Sequence, residues 1–318
     1  MKLLTYTLGG VSRIGALSGE CIVDLNYAYA EYMKGVRGEK AVKKLADEQL
    51  PPSMISFLDK GDSALVATRR ALDHVKKLEK EGKTAALKKA KIICDVASVR
   101  NEAPIPRPRK NIFCLGLNTR KHVAEEQVKI PTDPVFFTKP PTVVIGPYDD
   151  IVYPRATQKL DYEVEFAVIM GKKGKYIPRE KALDYIVGYT VFNDVSARDL
   201  QLRHFQWFKG KGCDTFGPMG PCLITKDEVP DPHNLRIRCK VSDEVRQDSN
   251  TSDMIFKIPQ IIEVLSAGMT LEPGDVISTG TPGGVGEDFK PPRFLKVGDV
   301  VESEIEVLGG LRNVVRAE

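Results

Sequence analysis

Cysteine is sparse and dispersed in this chain of 318 residues: Cys21, Cys94, Cys114, Cys213, Cys222 and Cys239, with no pair at CxxC spacing. A structural zinc site needs clustered thiolates, so that class is excluded, and the six read as free, mostly buried thiols of a reducing compartment. Missing too is any apolar run near the roughly twenty residues that cross a bilayer, so no membrane partner is expected. The opening MKLLTYTLGGVSRIGAL has only a short apolar piece broken by Gly9-Gly10, which reads as a first strand and not a signal peptide, placing the protein in the cytoplasm. No GxGxxG follows a strand, and GTPGGVG lacks the Lys-Ser/Thr of a phosphate loop. Excess charge is also lacking: 47 Lys and Arg face 43 Asp and Glu, which leaves no case for nucleic acid. The basic stretch KKLEKEGKTAALKKAK reads as a solvated helix face. There is no internal repeat.

What is present is a 42% hydrophobic fraction, enough for a substantial core. LLTYTL, RIGALSG and ECIVDL read as short strands with Gly turns. YAYAEYMKGV, EKAVKKLADEQL and SALVATRRALDHVKKLEKE carry apolar residues at helical intervals, and KIICDVASV returns to strand. APIPRPRKN, residues 103–111, holds three prolines within five residues; it cannot sit inside a helix or sheet and marks a boundary with the stiffness of a spacer. The expected units are a small α+β domain over residues 1–105 and a larger one over 106–318. The larger unit is rich in short strands, from NIFCLGL to VVESEIEV, punctuated by PG, GP, GG and GD turns. That texture indicates a sandwich, roll or barrel. Only SARDLQLRHFQWF and IPQIIEVLSAG look helical there.

LDYEVEFAVIM poses a chemical question. In a strand, residues i and i+2 point the same way, so Glu163 and Glu165 share a face. Adjacent carboxylates in a partly dry site repel; one takes up a proton, or a cation sits between them. Oxygen ligands alone suit a hard ion such as Mg²⁺, Mn²⁺ or Ca²⁺. A bare ExE is also common on solvent-facing edge strands. The next strand, IVGYTVFND, stops at Asp194, which offers either a third oxygen ligand or a cap for the helix begun by SARDLQ. His122 and Glu125 lie three apart, on one face if helical, with Glu126 a rival neighbour. Arg198 and Gln201 follow Asp194 at offsets that share a face if the helix starts at once; Arg198 is equally suited to a salt bridge with Asp199 or another acid. His74 reads as a surface residue, His204 as packed beside Trp207, and His233 as a loop residue.

These motifs carry a resemblance. LDYEVEFAVIMG, GYTVFNDVSARDLQ, GKGCDTFGPMGPCLIT, LEPGDVISTGTPGGVG and FLKVGDVVESEIEVLG, in that order and preceded by GLNTRKHVAEE, resemble the fumarylacetoacetate hydrolase family over about residues 105–318. The resemblance implies an α+β, mainly β fold: a mixed β-roll or β-sandwich preceded by a small α+β domain, assembled as a homodimer. It implies one Mg²⁺ or Mn²⁺ per subunit held by Glu163, Glu165 and Asp194, and a small 2-oxo acid substrate chelated there. His122 and Glu125 would activate water. Lys211, Gln201 and Arg198 would stabilise an oxyanion or enolate, and Thr281 would contact a substrate carboxylate. Lys139 is a further candidate for that contact. Two positions depart from the family pattern: Thr119 where it has Tyr, and Cys213 where it more often has an aromatic residue.

The expected reaction is hydrolytic C–C cleavage of a 2,4-dioxo acid of the acylpyruvate or fumarylacetoacetate kind. Oxaloacetate decarboxylation, or isomerisation or hydration of an unsaturated 2-oxo diacid, would use the same enolate. A metal-binding module without catalysis would show substitutions among the ligands or at His122 and Glu125, and none is present.

Overall fold

The computed structural model describes residues 1–37 and 42–318; the first residues of the helix expected from EKAVKKLADEQL, 39–41, lie outside them. The N-terminal hundred residues form β1 (Lys2–Leu8), β2 (Val11–Ser18), β3 (Cys21–Asp24), α1 (Leu25–Arg37), α2 (Val42–Gln49), α3 (Met54–Leu58), α4 (Asp62–Lys80), α5 (Thr84–Lys89) and β4 (Ile93–Asp95). There follow β5 (Arg100–Asn101), β6 (Ile112–Gly116), α6 (Arg120–Glu125), β7 (Val135–Lys139), β8 (Val144–Ile145), β9 (Ile151–Tyr153) and β10 (Leu160–Asp161). The remainder comprises β11 (Val164–Met170), β12 (Ile186–Asn193), β13 (Ser196–Ala197), α7 (Arg198–Arg203), α8 (Phe208–Lys211), β14 (Gly217–Thr225), β15 (Arg236–Val241), β16 (Glu244–Asn250), α9 (Ile258–Ser266), β17 (Val276–Ser278), β18 (Val300–Ile305) and β19 (Gly309–Ala317).

The architecture is α+β and mainly β. One large sheet has the order β4-β3-β2-β1-β14-β12-β11-β17-β6-β7, and a second has β16-β15-β18-β19-β9. VEFAVIM and IVGYTVFN are apolar nearly throughout because every residue of β11 and β12 is buried; these are central strands covered on both faces. They pair antiparallel, with Val164 opposite Asn193. The second sheet covers one face, β15 and β18 packing on β11 and β12.

Strand β1 pairs with β14, Leu3 opposite Leu223, so the sheet runs across residue 105. The core is likewise continuous, taking Leu3, Leu50 and Phe57 together with Phe166 and Leu223. The proline-rich segment 103–111 has neither helix nor strand, yet Ala103 and Ile105 are buried in that core, and Thr5 Oγ1 donates to the Pro104 carbonyl at 2.8 Å. It is a packed connection and not a free spacer.

The helix expected from SARDLQLRHFQWF divides. Phe205, 94% exposed, takes a left-handed φ of 57°, and the chain doubles back so that α8 lies on α7. The contact is at Gly210, where a Cβ would lie 2.5 Å from the Gln201 backbone nitrogen. This fold-back carries Lys211 to the end of β12. His204 is exposed and does not pack beside Trp207 as expected. His74 is half-buried with its ring edge-on to Tyr32, and His233 Nε2, in its loop, accepts from Ile258 N. Among the described residues no helix is long and apolar enough to cross a membrane.

Candidate active site

Glu163 directly precedes β11, Glu165 lies in it, and Asp194 follows β12. The two strands are stitched at this end: Asp194 N donates to Glu163 O at 2.8 Å, and Glu163 N to Asn193 Oδ1 at 3.0 Å. One oxygen from each of the three carboxylates lies within 4.8 Å of the others, and all three residues are buried. The edge-strand reading of ExE therefore does not hold. Nor does Asp194 cap a helix, since β13 intervenes and α7 begins after Ala197 without a side-chain cap.

Cations surround the triad. Lys211 Nζ donates to Glu163 Oε2 at 2.8 Å and to Asp194 Oδ2 at 2.9 Å, while Lys139 Nζ donates to Asp194 Oδ1 and to Val195 O. Arg198 Nη1 meets Glu163 Oε1 at 2.7 Å. Burial opposes the charge on Glu163, but Lys211 and Arg198 overcome it and hold the carboxyl down at about 2. Glu165 goes the other way: burial, with Asp194 and Glu163 beside it, pushes it well above the usual carboxylate range. Its Oε2 accepts from Ser278 Oγ and Gly280 N, while its buried Oε1 has no partner. A buried oxygen without a donor, in an all-carboxylate cluster, fits a hard divalent cation.

A cleft of about 190 Å³ opens beside the triad, lined on its polar side by His122, Glu163, Arg198, Gln201, Lys211 and Thr281. Leu117, Val128, Phe137 and Trp207 line the apolar side. Arg198 is 3% exposed. Its Nε donates to Asp161 Oδ2 at 2.9 Å and its Nη1 also reaches Gln201 Oε1 at 3.3 Å, but its buried Nη2 has no partner. Asp199 is not its counterion; that carboxylate accepts from Thr157 and Gln158 N.

Lys139 stands behind Asp194 with its ammonium committed there, not in the cleft lining. The Thr281 hydroxyl accepts from Gln247 Nε2 and donates to Val164 O. His122, 7% exposed, lies on α6 with Nε2 4.0 Å from Glu126 Oε1. Glu125 does not hydrogen-bond His122; its Oε2 accepts from Gly284 N at 2.7 Å. Two residues were not singled out from the sequence. Asp161 is buried and accepts from Arg198 and from Gly286 N and Glu287 N; Asp288 lies 3.5 Å from His122 Nδ1. The D-x-E-x-E alternation of LDYEVE was the available signal for Asp161.

A mainly β fold that brings three buried carboxylates, flanking cations and a histidine to one small cleft defines a protein with a candidate site for a divalent metal ion. The model of the fumarylacetoacetate (FAA) hydrolase C-terminal domain matches residues 111–316, and the chain belongs to the fumarylacetoacetate hydrolase family. It is 44% identical over 282 residues to Oxaloacetate tautomerase YisK of Bacillus subtilis, covering 87% of this chain and 91% of that one. It is 45% identical over 271 residues to Oxaloacetate tautomerase FAHD2A, mitochondrial, of Homo sapiens, covering 85% and 81%. The fumarylacetoacetate hydrolase of Exiguobacterium antarcticum superposes with a TM-score of 0.77 at 33% identity, both chains covered in full.

Proposed function

We propose that the protein interconverts the enol and keto forms of a small 2-oxo dicarboxylate such as oxaloacetate. The observation that carries this reading is the unpartnered, buried Arg198 Nη2 in a cleft that also holds His122 and Lys211. A buried guanidinium nitrogen without an acceptor calls for an anionic ligand oxygen, and a substrate carboxylate supplies one. The tautomerase names of relatives 44–45% identical support the same choice. Glu163, Glu165 and Asp194 would hold Mg²⁺ or Mn²⁺, which when bound supplies Lewis-acid polarisation of the 2-oxo group.

The chain's own groups do the rest. His122 Nε2 takes the proton from C3; the C3–H electron pair becomes the C2=C3 bond, the carbonyl pair moves to oxygen, the oxygen takes a proton from water, and the imidazolium gives its extra proton back to water. Run backwards, the imidazolium returns the proton to C3. Lys211 and Gln201 lie along the cleft to steady the developing negative charge. Trp207 and Phe137 line the apolar side and would exclude water there.

Hydrolytic C–C cleavage of a 2,4-dioxo acid is a second reading. It needs the same groups and a water beside His122, and similarity to a hydrolase structure at 33% identity supports it. Decarboxylation would share the enolate. On the same footing we read residues 1–105 and 106–318 as two building blocks and the protein as cytoplasmic and a homodimer, the dimer testable by sedimentation.

The decisive assay follows the ultraviolet absorbance of enol-oxaloacetate with Mg²⁺ or Mn²⁺, comparing the wild type with Glu163→Ala and His122→Asn. Loss of turnover in both is expected; rates equal to wild type would refute the site. Turnover of acetylpyruvate but not of the enol would favour hydrolysis.

A further inference from the structure

His122 has one ring nitrogen toward the cleft and one toward the loop after β17. On the loop side Nδ1 stands 3.5 Å from Asp288 Oδ2. Both atoms are buried and neither has a hydrogen-bond partner. That separation is slightly long for a hydrogen bond, and pairs of this kind shorten when substrate closes the site. Asp288 is absent from the cleft lining, so it stands behind the ring.

The loop is held firmly. Glu125 Oε2 accepts from Gly284 N at 2.7 Å, Asp161 accepts from Gly286 N at 2.8 Å and Glu287 N at 3.0 Å, and Arg293 N donates to Gly286 O at 2.7 Å. Two glycines make this possible. A Cβ at Gly283 would lie 2.5 Å from Glu125 Oε2, and one at Gly286 would lie 2.5 Å from Asp161 Oδ1. The GGVGED sequence thus lets two carboxylates grip the backbone that presents Asp288. Glu125 has an oxygen within 4.8 Å of His122 and Asp288, but its hydrogen bond is to the loop.

We infer that Asp288, and not Glu125, is the positioning residue that orients His122, while Glu125 fastens α6 to the loop; this rests on the reading that His122 moves the substrate proton. A carboxylate facing Nδ1 keeps the proton on that nitrogen and leaves the Nε2 lone pair toward the cleft. When Nε2 accepts the C3 proton, the imidazolium is balanced by Asp288, and return of the proton restores the starting tautomer. The other acids near the ring are Glu126, 4.0 Å from Nε2, and Glu163 and Glu287 in the cleft wall. None of these faces Nδ1.

The test is ¹⁵N NMR of the imidazoles in the full chain without substrate. The chain has four histidines, and the His122 signals are those missing from His122→Gln. The Nδ1–H tautomer should predominate in the wild type and lose its dominance in Asp288→Ala and in the isosteric Asp288→Asn, but not in Glu125→Gln. With enol-oxaloacetate, Asp288→Asn should lower kcat about 10²-fold or more with KM little changed, and Asp288→Glu should recover part of the loss. Retention of the preference in the Asp288 variants, or its loss in Glu125→Gln, overturns the assignment, as does a His122 without tautomer preference in the wild type. Because the NMR readout needs no substrate, a wrong choice of reaction would remove the turnover and leave the tautomer result standing.

Discussion

Replacing Glu165 with glutamine should move two properties in opposite directions. In the metal-free protein its carboxylate has an oxygen within 4.8 Å of oxygens of Glu163 and Asp194. With all three ionised, each such repulsion would cost about 3.5 kcal/mol at an effective dielectric of about 20, and this drives Glu165 toward its protonated form. Glutamine keeps an acceptor for Ser278 and Gly280 N, stays neutral without taking up a proton, and places an amide donor where the unpartnered Oε1 lies. Glu165→Gln should therefore unfold at the same or a higher temperature than the wild type in EDTA. With a divalent ion the order reverses. The wild type gains RT ln(1 + [L]/Kd), about 2.7 kcal/mol at a hundredfold excess over Kd, and the variant, one ligand short, gains far less. For a chain of this size that is a Tm rise of roughly 4 °C in the wild type alone. Differential scanning calorimetry in EDTA and in excess Mg²⁺ or Mn²⁺ reads both effects. A variant destabilised in EDTA that keeps the full metal-dependent rise would refute the account of the triad.

Other outcomes are as definite. Burial pushes the Cys222 and Cys239 thiols up to about 12. Between about pH 8.5 and 12 the unfolded chain then releases protons that the folded one retains, so stability is whole below this window and falls within it. Two such thiols imply about 2.7 kcal/mol per pH unit, visible as a lower urea midpoint at pH 10 than at pH 8; a midpoint equal at the two pH values, or unaltered by Cys222→Ala with Cys239→Ala, would count against it. Arg198→Lys cannot bridge Asp161, Glu163 and Gln201 at once, and should lower kcat/KM about 10²-fold in the enol assay while the fold persists by circular dichroism. Gly116→Ala would set a Cβ 2.2 Å from the Trp207 ring; KM should rise, and the quenching of this single tryptophan expected on oxalate binding to the wild type should be lost.

Legibility followed the range of the interactions. The family and its fold were readable from long motifs in a fixed order, and the approach of Glu163, Glu165 and Asp194 from alternation within one strand and the abrupt end of the next, which are local signals. The partners of those groups were not, because they arrive from far along the chain. Asp288 reaches His122 across 166 positions (288 minus 122), and Asp161 meets Arg198 across 37. The break in the 196–208 helix depends on Gly210 accepting the Gln201 backbone, a packing event that apolar spacing does not encode. Lys139 looked free to meet a substrate because nothing near it in sequence shows that Asp194 claims its ammonium.

The pairing of β1 with β14 reaches beyond architecture. A shortened protein beginning near residue 106 would leave the peptide groups of Leu223 and Ile224 without their neighbouring strand, one strand away from β12 at whose end Asp194 stands. Bare strand borders recruit one another, so such a fragment should clump in the cell instead of yielding a minimal catalyst.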